Sequence, residues 1–448
     1  MTFDAQQLAT ILDRLPQPRR WLVGFSGGLD STVLLHALVA AKSTIPVVAI
    51  HVNHGLSSRA EQWQQHCEAL AAQWRVELIC ENVEVSNRGR GIENAAREAR
   101  FAIFERHVQT GDVLLLAHHL ADQAETLLYR LLRGTGPRGL GGMQPCRQFH
   151  RGHIARPLLE FSRRRIADYA ETNQLTWIDD DSNQQHVFDR NYLRHRVMPA
   201  LAERWPDFQQ RWSQSATLCR EAEQLNEDLA ALDLSACGER IERLGHSVKL
   251  AALAQLAPYR RRNMLRYWLR CHYAAVPEQQ HLQEIERQFF SQSVPSADRS
   301  SAKVAWGTTE LRCFAERLYL LPRLPDSDSS VELIWDGIDT PLTLPDGSSL
   351  STQSGGQLLL PSAPVEIRWR QGGERCQPHR RAHSQTLKKL LQEYQLEPWL
   401  RDRVPLVYCG GRLAAVGDLW VCKDFVAQSH QTALSLAWSY VPQAQVDT

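Results

Sequence analysis

The chain has no C-x-x-C pair, no Gly-Lys dipeptide and no apolar run of the roughly 18 residues that a membrane helix needs. The missing cysteine pairs argue against a zinc ribbon, a redox couple or an iron–sulfur site. The ten cysteines scatter between Cys67 and Cys422, which fits reduced thiols in the cytoplasm. The missing Gly-Lys excludes a Walker A loop, which requires G-x-x-x-x-G-K-[ST]. Met1-Thr2-Phe3-Asp4 has no basic region followed by an apolar core, so no secretory signal is expected. Charge of one sign is also lacking, with 51 Lys+Arg against 50 Asp+Glu. A nucleic-acid partner therefore has to be held by local basic patches. There is no internal repeat.

What is present is a chain of 448 residues, 43% hydrophobic and 23% charged, with the composition of an ordinary soluble protein. Its length suggests about three domains. The most informative stretch is Ser26-Gly27-Gly28-Leu29-Asp30-Ser31. It follows the apolar run Trp21 to Phe25 and precedes Thr32 to Val39, apolar at helical spacing. The pattern reads strand, tight glycine turn, helix. Such a turn aims unpaired N–H groups and a helix dipole at one point, where an anion belongs. Gly27 and Gly28 let the backbone approach it, Ser26 and Ser31 add hydroxyls, and Asp30 suits a metal or a helix cap. A G-x-G-x-x-G match, Gly134 to Gly139, follows a helical stretch rather than a strand and reads as helix stop plus loop.

Apolar runs at Pro46–Val52, Val76–Val85 and Asp112–Ala117 alternate with helical stretches at 59–74 and 91–107. That alternation predicts a doubly wound parallel α/β sheet. Ligands bind such sheets beyond the carboxyl ends of strands. Ser26–Ser31, His51–His54 and His118–Glu125 all fall at such ends. The catalytic segment is expected over 1–215, with a helical connector at 199–232. A mainly helical segment follows at 233–322. A Pro/Asp/Ser linker then leads to a small α+β segment at 331–440.

Three further constellations carry chemistry. His118-His119-Leu120-Ala121-Asp122-Gln123-Ala124-Glu125-Thr126 opens a helix after a strand, where clustered His, Asp and Glu can bind metal or move a proton. The plainer reading is a capped, solvated helix start. Arg190 and Arg194 share a helix face after the acids Asp179 to Asp181, suited to phosphate or to ordinary surface pairs. Arg262, Arg266 and Arg270 make one stripe, with Arg260, Tyr259, Tyr267 and Trp268 interleaved; it suits an RNA backbone or a solvated face. Residues 361–424 hold eleven Lys/Arg against seven Asp/Glu, including Arg375, Lys388, Lys389 and Arg403.

The S-G-G-x-D-S loop resembles the pyrophosphate loop of PP-loop ATPases, which cleave ATP between the α and β phosphates. The wider set is similar to the tRNA(Ile)-lysidine synthetase family. It comprises that loop, His51-Val52-Asn53-His54-Gly55-Leu56, Glu93 to Arg100, His118 to Thr126, Arg133 to Gly136, and Asp181-Ser182-Asn183 with Arg190-Asn191-Tyr192-Leu193-Arg194. Gly373-Glu374-Arg375, Leu387 to Leu391 and Arg403 to Leu406 resemble the same family's C-terminal domain. The family usually reads H-H-x-D-D-Q; Ala121 takes the first Asp position here, and Asp122 remains.

The resemblance implies adenylation of the wobble cytidine C2 oxygen in the CAU-anticodon isoleucine tRNA, with ATP as donor. Attack by the amine of free L-lysine then displaces AMP, and the codon read changes from AUG to AUA. Ser26, Gly27, Gly28, Leu29, Asp30, Ser31, His51 and Asn53 are the expected ATP contacts, and Asp30 and Asp122 the expected Mg2+ ligands. Asp30, His118, His119 and Asp122 are the catalytic candidates, with the proton acceptor left open among His118, His119 and Asp122. RNA is expected on Arg97, Arg190, Asn191, Arg194, Arg260, Arg262, Arg266, Arg375, Lys388, Lys389 and Arg403. Two other readings stand: a PP-loop tRNA thiolation enzyme, disfavoured by the absent cysteine pairs, and a tRNA-binding protein impaired by Ala121. The sequence leaves oligomeric state open, a homodimer included.

Overall fold

A computed structural model describes residues 3–55, 59–83, 92–178, 189–272, 277–291, 302–325, 328–361, 363–428 and 433–440. Leu56, Asp179 to Asn183 and the side chains of Glu93 and Asn94 lie outside the described residues. The chain divides into two compact units, Met1–Leu225 and Asn226–Thr448.

The first unit is built on a six-stranded sheet of order β3-β2-β1-β4-β6-β5. Its strands are β1 (Arg20–Gly24), β2 (Val47–Asn53), β3 (Glu77–Asn82), β4 (Asp112–Leu115), β5 (Cys146–Phe149) and β6 (Gly152–Ala155). All neighbours run parallel except β5 against β6. Alternate side chains explain why helices cover both faces. Trp21, Val23, Ala49, Val113 and Leu115 enter one apolar core. Leu22, Val48, Ile50 and Leu114 enter another. A sheet buried on both sides reads as continuous apolar runs, as these strands do. The helices are α1 (Ala5–Leu12), α2 (Leu29–Ala40), α3 (Ala60–Trp74), α4 (Ile92–His107), α5 (Leu120–Leu132), α6 (Pro137–Leu140) and α7 (Arg163–Thr172). After these come α8 (Asp189–Tyr192), a π-helical turn (Leu193–Val197), α9 (Met198–Arg204) and the long α10 (Phe208–Ala236).

From β1 the chain first adds β2 and β3 on one side, then crosses to β4 on the other. The order therefore reverses between β1 and β4, and a crevice opens beyond the carboxyl ends of these two strands. The loops that fill it are Phe25–Gly28 before α2 and Leu116–His119 before α5.

The second unit contains more sheet than the helical reading of 233–322 suggested. Strands β7 (Arg240–Ile241), β8 (His246–Lys249), β9 (Lys303–Trp306), β10 (Thr309–Phe314) and β11 (Arg317–Pro322) pair in the order β7-β8-β11-β10-β9. Val304, Trp306, Leu311, Cys313, Leu318 and Leu320 point inward against α11 (Leu250–Gln255), α12 (Pro258–Cys271) and α13 (Gln279–Ile285). These strands are short, and their two-residue period is easily lost beside the arginine-rich helix.

The last segment adds a second five-stranded sheet, β12 (Leu333–Ile334), β15 (Val365–Arg368), β18 (Leu406–Cys409), β19 (Arg412–Val416) and β20 (Trp420–Val421). A three-stranded sheet of β13 (Leu342–Thr343), β14 (Ser348–Leu358) and β21 (Leu434–Tyr440), a small ribbon of β16 (Arg375–Cys376) and β17 (Gln385–Thr386), and α14 (Leu387–Glu393) complete it. Its core also takes in Leu244, Tyr319 and Leu321 from the preceding segment, so the two segments share one unit. No described helix is long and apolar enough to cross a membrane.

The β1–β4 pair beneath the crevice is pinned by a buried charge. Asp112 is 0% exposed, and its Oδ2 accepts from Arg20 Nε and Nη2 (3.0 and 2.9 Å) and from the Gln109 N–H (2.9 Å). Asp112→Ala leaves that guanidinium without its anion, and we expect a loss of about 3 kcal/mol in urea unfolding. An unchanged unfolding midpoint would contradict this role.

Candidate active site

The turn after β1 is shaped for an anion. Gly27 has φ +79°, and a Cβ there would lie 2.8 Å from Cys67 Sγ and 3.1 Å from Ile178 Cδ1. Only glycine fits that backbone and that space. The Ile178 N–H donates to the Gly27 carbonyl at 2.9 Å, fixing the turn against the chain after α7. Gly28 caps α2 in an extended conformation with no side-chain cap bond, which leaves the helix's first N–H groups for a ligand. The two serines hold the turn together. Ser31 Oγ donates to the Gly28 carbonyl (3.1 Å), accepts from the Ser26 N–H (3.2 Å) and lies 3.0 Å from Ser26 Oγ.

Opposite the turn, His119 caps α5. Its Nδ1 accepts from the Ala121 N–H at 3.2 Å, and its own N–H donates to Asp122 Oδ2 at 2.9 Å. With Nδ1 accepting, the ring proton sits on Nε2, 3.7 Å from Asp30 Oδ2. The two loops of the crevice thus meet through His119 and Asp30. Burial raises the Asp30 carboxyl above its ordinary range, His119 opposes the shift, and Asp122 adds to it. Asp30 Oδ1 is buried with no hydrogen-bond partner among the described residues.

Arg194 crosses to the same acids from the π-helical turn. Its Nε and Nη2 grip Glu125 Oε1 and Oε2 (2.6 and 3.0 Å), and Nη2 also reaches Asp122 Oδ1 (3.1 Å). Burial pushes Asp122 up, but His119, His118, the His119 N–H and Arg194 outweigh it and hold the acid low. Glu125 is raised, chiefly by burial, despite its bonds to Arg194. Burial drives His118 down to about 3, so its ring is neutral at pH 7.

Beside this cluster lies a pocket of about 90 Å³, lined by Arg97, His118, Asp122, Glu125, Tyr129 and Arg190 among others. Arg190 also stacks over the Tyr129 ring, 5.9 Å from its centroid. Asp30, His118, His119, Asp122, Arg97, Arg190 and Arg194 therefore belong to one neighbourhood, with Asn191 on the same short helix as Arg190. The sequence placed Glu125 in the His118–Thr126 cluster without singling it out, and gave no role to Tyr129, Arg130 or Met143. Positions 122, 125, 126 and 129 share one helix face, and that periodicity is the signal that marks them.

His51 and Asn53 sit behind the loop. His51 is 5% exposed, its Nδ1 is 3.0 Å from the Phe25 carbonyl, and Cys67 Sγ is 3.5 Å away. Asn53 accepts from the Gly55 N–H at 2.9 Å and reaches Gln64 at 3.4 Å. His51 thus supports the start of the turn, while Asn53 braces the loop after its own strand.

In the second unit the arginine helix is only partly a surface stripe. Arg260 bonds Asp233 through two nitrogens (3.2 and 2.5 Å), and Arg270 bonds Glu227 at 2.9 Å. Trp268 belongs to the core at 0% exposure, whereas Tyr259 is 69% exposed. Arg262 and Arg266 are half-buried along α12. Arg375, Lys388 and Lys389 are exposed in the last segment. Arg403 differs from the expected RNA contact: it is 9% exposed, bonds the Pro325 carbonyl and lies 4.0 Å from Asp346. Its charge is used inside the unit.

A glycine turn at a sheet's switch point, open to an anion and faced by acids, defines the class of PP-loop ATP-binding proteins. A model of the PP-loop domain matches residues 2–201. Models of the TilS substrate binding domain and the TilS substrate C-terminal domain match residues 249–319 and 365–438. The tRNA(Ile)-lysidine synthase of Coxiella burnetii is 36% identical over 437 residues, covering 96% of this chain and 95% of the relative. That of Serratia proteamaculans is 37% identical over 444 residues, covering 97% and 98%. That of Legionella pneumophila (strain Lens) is 39% identical over 412 residues, covering 90% and 92%. The chain belongs to the tRNA(Ile)-lysidine synthase family.

The neutral His118 has a pH signature. Its pKa is about 3 in the fold against an ordinary 6.5, so the unfolded chain takes up the extra proton between these values. Stability contributed by the neutral ring is complete above pH 6.5 and falls as pH falls through that window. Unfolding free energies measured from pH 7 to pH 4 should decline more steeply for the wild type than for His118→Asn, by roughly one proton. Parallel curves would contradict the assignment.

Proposed function

We propose that this protein ligates lysine to C2 of the wobble cytidine in the CAU-anticodon isoleucine tRNA, with ATP as the activating substrate. The observation that carries this reading is the anion-ready turn at Ser26–Ser31, whose Asp30 meets His119, with Asp122 beside that histidine, across the β1–β4 crevice, in a chain of this family. Segment 1–215 performs the chemistry in this reading, and segments 233–322 and 331–440 hold tRNA.

The α2 N–H groups and the Gly27–Gly28 backbone bind the pyrophosphate of ATP and stabilise the charge that develops as it departs. The cytidine C2 oxygen attacks the α-phosphorus, the α–β bridging bond breaks, and pyrophosphate leaves. A base attacked at C2 has to leave its stack to enter the crevice. The partnerless, buried Asp30 Oδ1 is a hard oxygen donor that fits Mg2+, with Asp122 as a second carboxylate close by. When bound, the ion neutralises phosphate charge.

Lysine is a cation at its side chain and a zwitterion at its other end. Asp122 and Glu125 line the pocket together with Arg97 and Arg190, so it offers partners of both signs. The amine has to lose a proton before or during attack on C2, and AMP leaves as the C2–N bond forms. Arg194 bonds both acids, but Asp122 is held low whereas burial leaves Glu125 raised. A raised carboxyl is the stronger base, which favours Glu125 as the acceptor. His118, with a pKa of about 3, is a weak acceptor. His119 Nδ1 already accepts a backbone N–H. Arg97, Arg190 and Asn191 near the pocket, and Arg262, Arg266, Arg375, Lys388 and Lys389 in the second unit, form the proposed RNA contacts, led by phosphate and sensitive to salt.

With ATP, labelled lysine and CAU tRNA, the wild type incorporates label and Asp30→Ala does not. Full incorporation by that variant would remove Asp30 and the turn from their role. Glu125→Gln should lower kcat/KM for lysine by at least about 10–100-fold, with kcat itself reduced because the proton acceptor is gone, while tRNA affinity is unchanged. An unaltered kcat/KM would move the lysine site and the acceptor elsewhere.

A further inference from the structure

A second group of metal-ligating side chains lies in the Asn226–Thr448 unit. Glu239 follows the end of α10, His246 opens β8, and His272 caps the end of α12. One donor atom from each falls within 4.8 Å of the others. Glu239 Oε1 is 2.6 Å from His272 Nε2 and 3.5 Å from His246 Nδ1. Donors around a tetrahedral zinc ion lie about 3.3 Å apart, from bond lengths near 2.0–2.1 Å. The two imidazole rings stack with centroids 3.5 Å apart and planes 25° from parallel, so binding one ion requires the rings to open away from this stacked arrangement.

Two further observations mark the group as more than a hydrogen-bonded knot. His246 Nδ1 is shielded from solvent yet has no hydrogen-bond partner among the described residues. A shielded nitrogen that bonds nothing has a lone pair or a proton unaccounted for. The Trp268 Nε1–H donates to Glu239 Oε1 at 2.6 Å, the outer-shell support that ligating carboxylates receive. The side chains are 25%, 28% and 23% exposed for His246, Glu239 and His272, which leaves a path for an ion and a water.

We propose that Glu239, His246 and His272 bind one divalent transition-metal ion, zinc foremost, with water at the open position. Two imidazoles and one carboxylate form a donor set that suits zinc over the alkaline-earth ions. The ion would tie the end of α10 to β8 and to the end of α12, around the buried Trp268. Its role is structural, because the crevice chemistry does not draw on these residues.

The test uses the full, untagged chain, stripped with a chelator and titrated with zinc chloride alone. The wild type should take up one zinc ion, and saturating zinc should raise its unfolding midpoint by about 3–8 °C. Glu239→Gln keeps an oxygen for Trp268 and His272 and removes the anion; it should bind at least roughly 10-fold more weakly. His246→Gln combined with His272→Gln should lose the midpoint shift. Cobalt(II) in the wild type, which needs no variant to fold, should give visible d–d absorption without a thiolate-to-metal band. No uptake by the wild type, equal uptake by the variants, or a thiolate band would each overturn the proposal.

Discussion

Two helix N-termini meet at one crevice, and that electrostatic fact governs what surrounds it. The start of α2 carries Asp30 in its first turn, and the start of α5 carries Asp122. Acids at helix starts are favoured by the dipole. Burial raises Asp30 and repulsion from Asp122 adds to it, while Asp122 is rescued by His119, His118 and Arg194. Arg194 arrives from outside the sheet to hold Asp122 and Glu125 at once. The cluster is thus nearly balanced but under tension, a state that suits binding a polyanion on one side and a cationic amine on the other.

The fold makes this convergence unavoidable. A parallel sheet whose order reverses between β1 and β4 leaves the two following loops with no strand between them. Gly27 then has to sit in a left-handed turn against Cys67 and Ile178, which fixes the course of the loop before α2. The residue that departs from the family's H-H-x-D-D-Q pattern, Ala121, gives its N–H to His119 in the cap of α5. The acid missing there leaves the Asp30–His119–Asp122 arrangement intact.

Much of this was legible in the chain. Continuous apolar runs ending in polar motifs announced a doubly buried sheet with its site at strand ends. The S-G-G-x-D-S turn and the His118–Asp122 stretch announced their own positions because their chemistry is local. Other roles are tertiary and left little local trace. Arg194 looked like a phosphate contact and instead clamps two acids, a fact set by the π-helical turn that aims it. Trp268 and Arg403 looked like parts of RNA-facing patches, yet one fills a core and the other is used internally. Strands at Lys303–Trp306, Thr309–Phe314 and Arg317–Pro322 were hidden because a two-residue alternation over four to six positions is a weak signal beside a long basic helix. The Glu239–His246–His272 group was invisible for a different reason: its members come from three elements that only the folded chain brings together.

The central claim is that the crevice joins lysine to an activated tRNA base. The most direct measurement is mass spectrometry of the nucleosides released from CAU isoleucine tRNA after incubation with the wild-type protein, ATP and lysine. The account predicts a cytidine that has lost its C2 oxygen and gained lysine through nitrogen, formed only when ATP is present. Unmodified cytidine from tRNA that the protein demonstrably binds would contradict it.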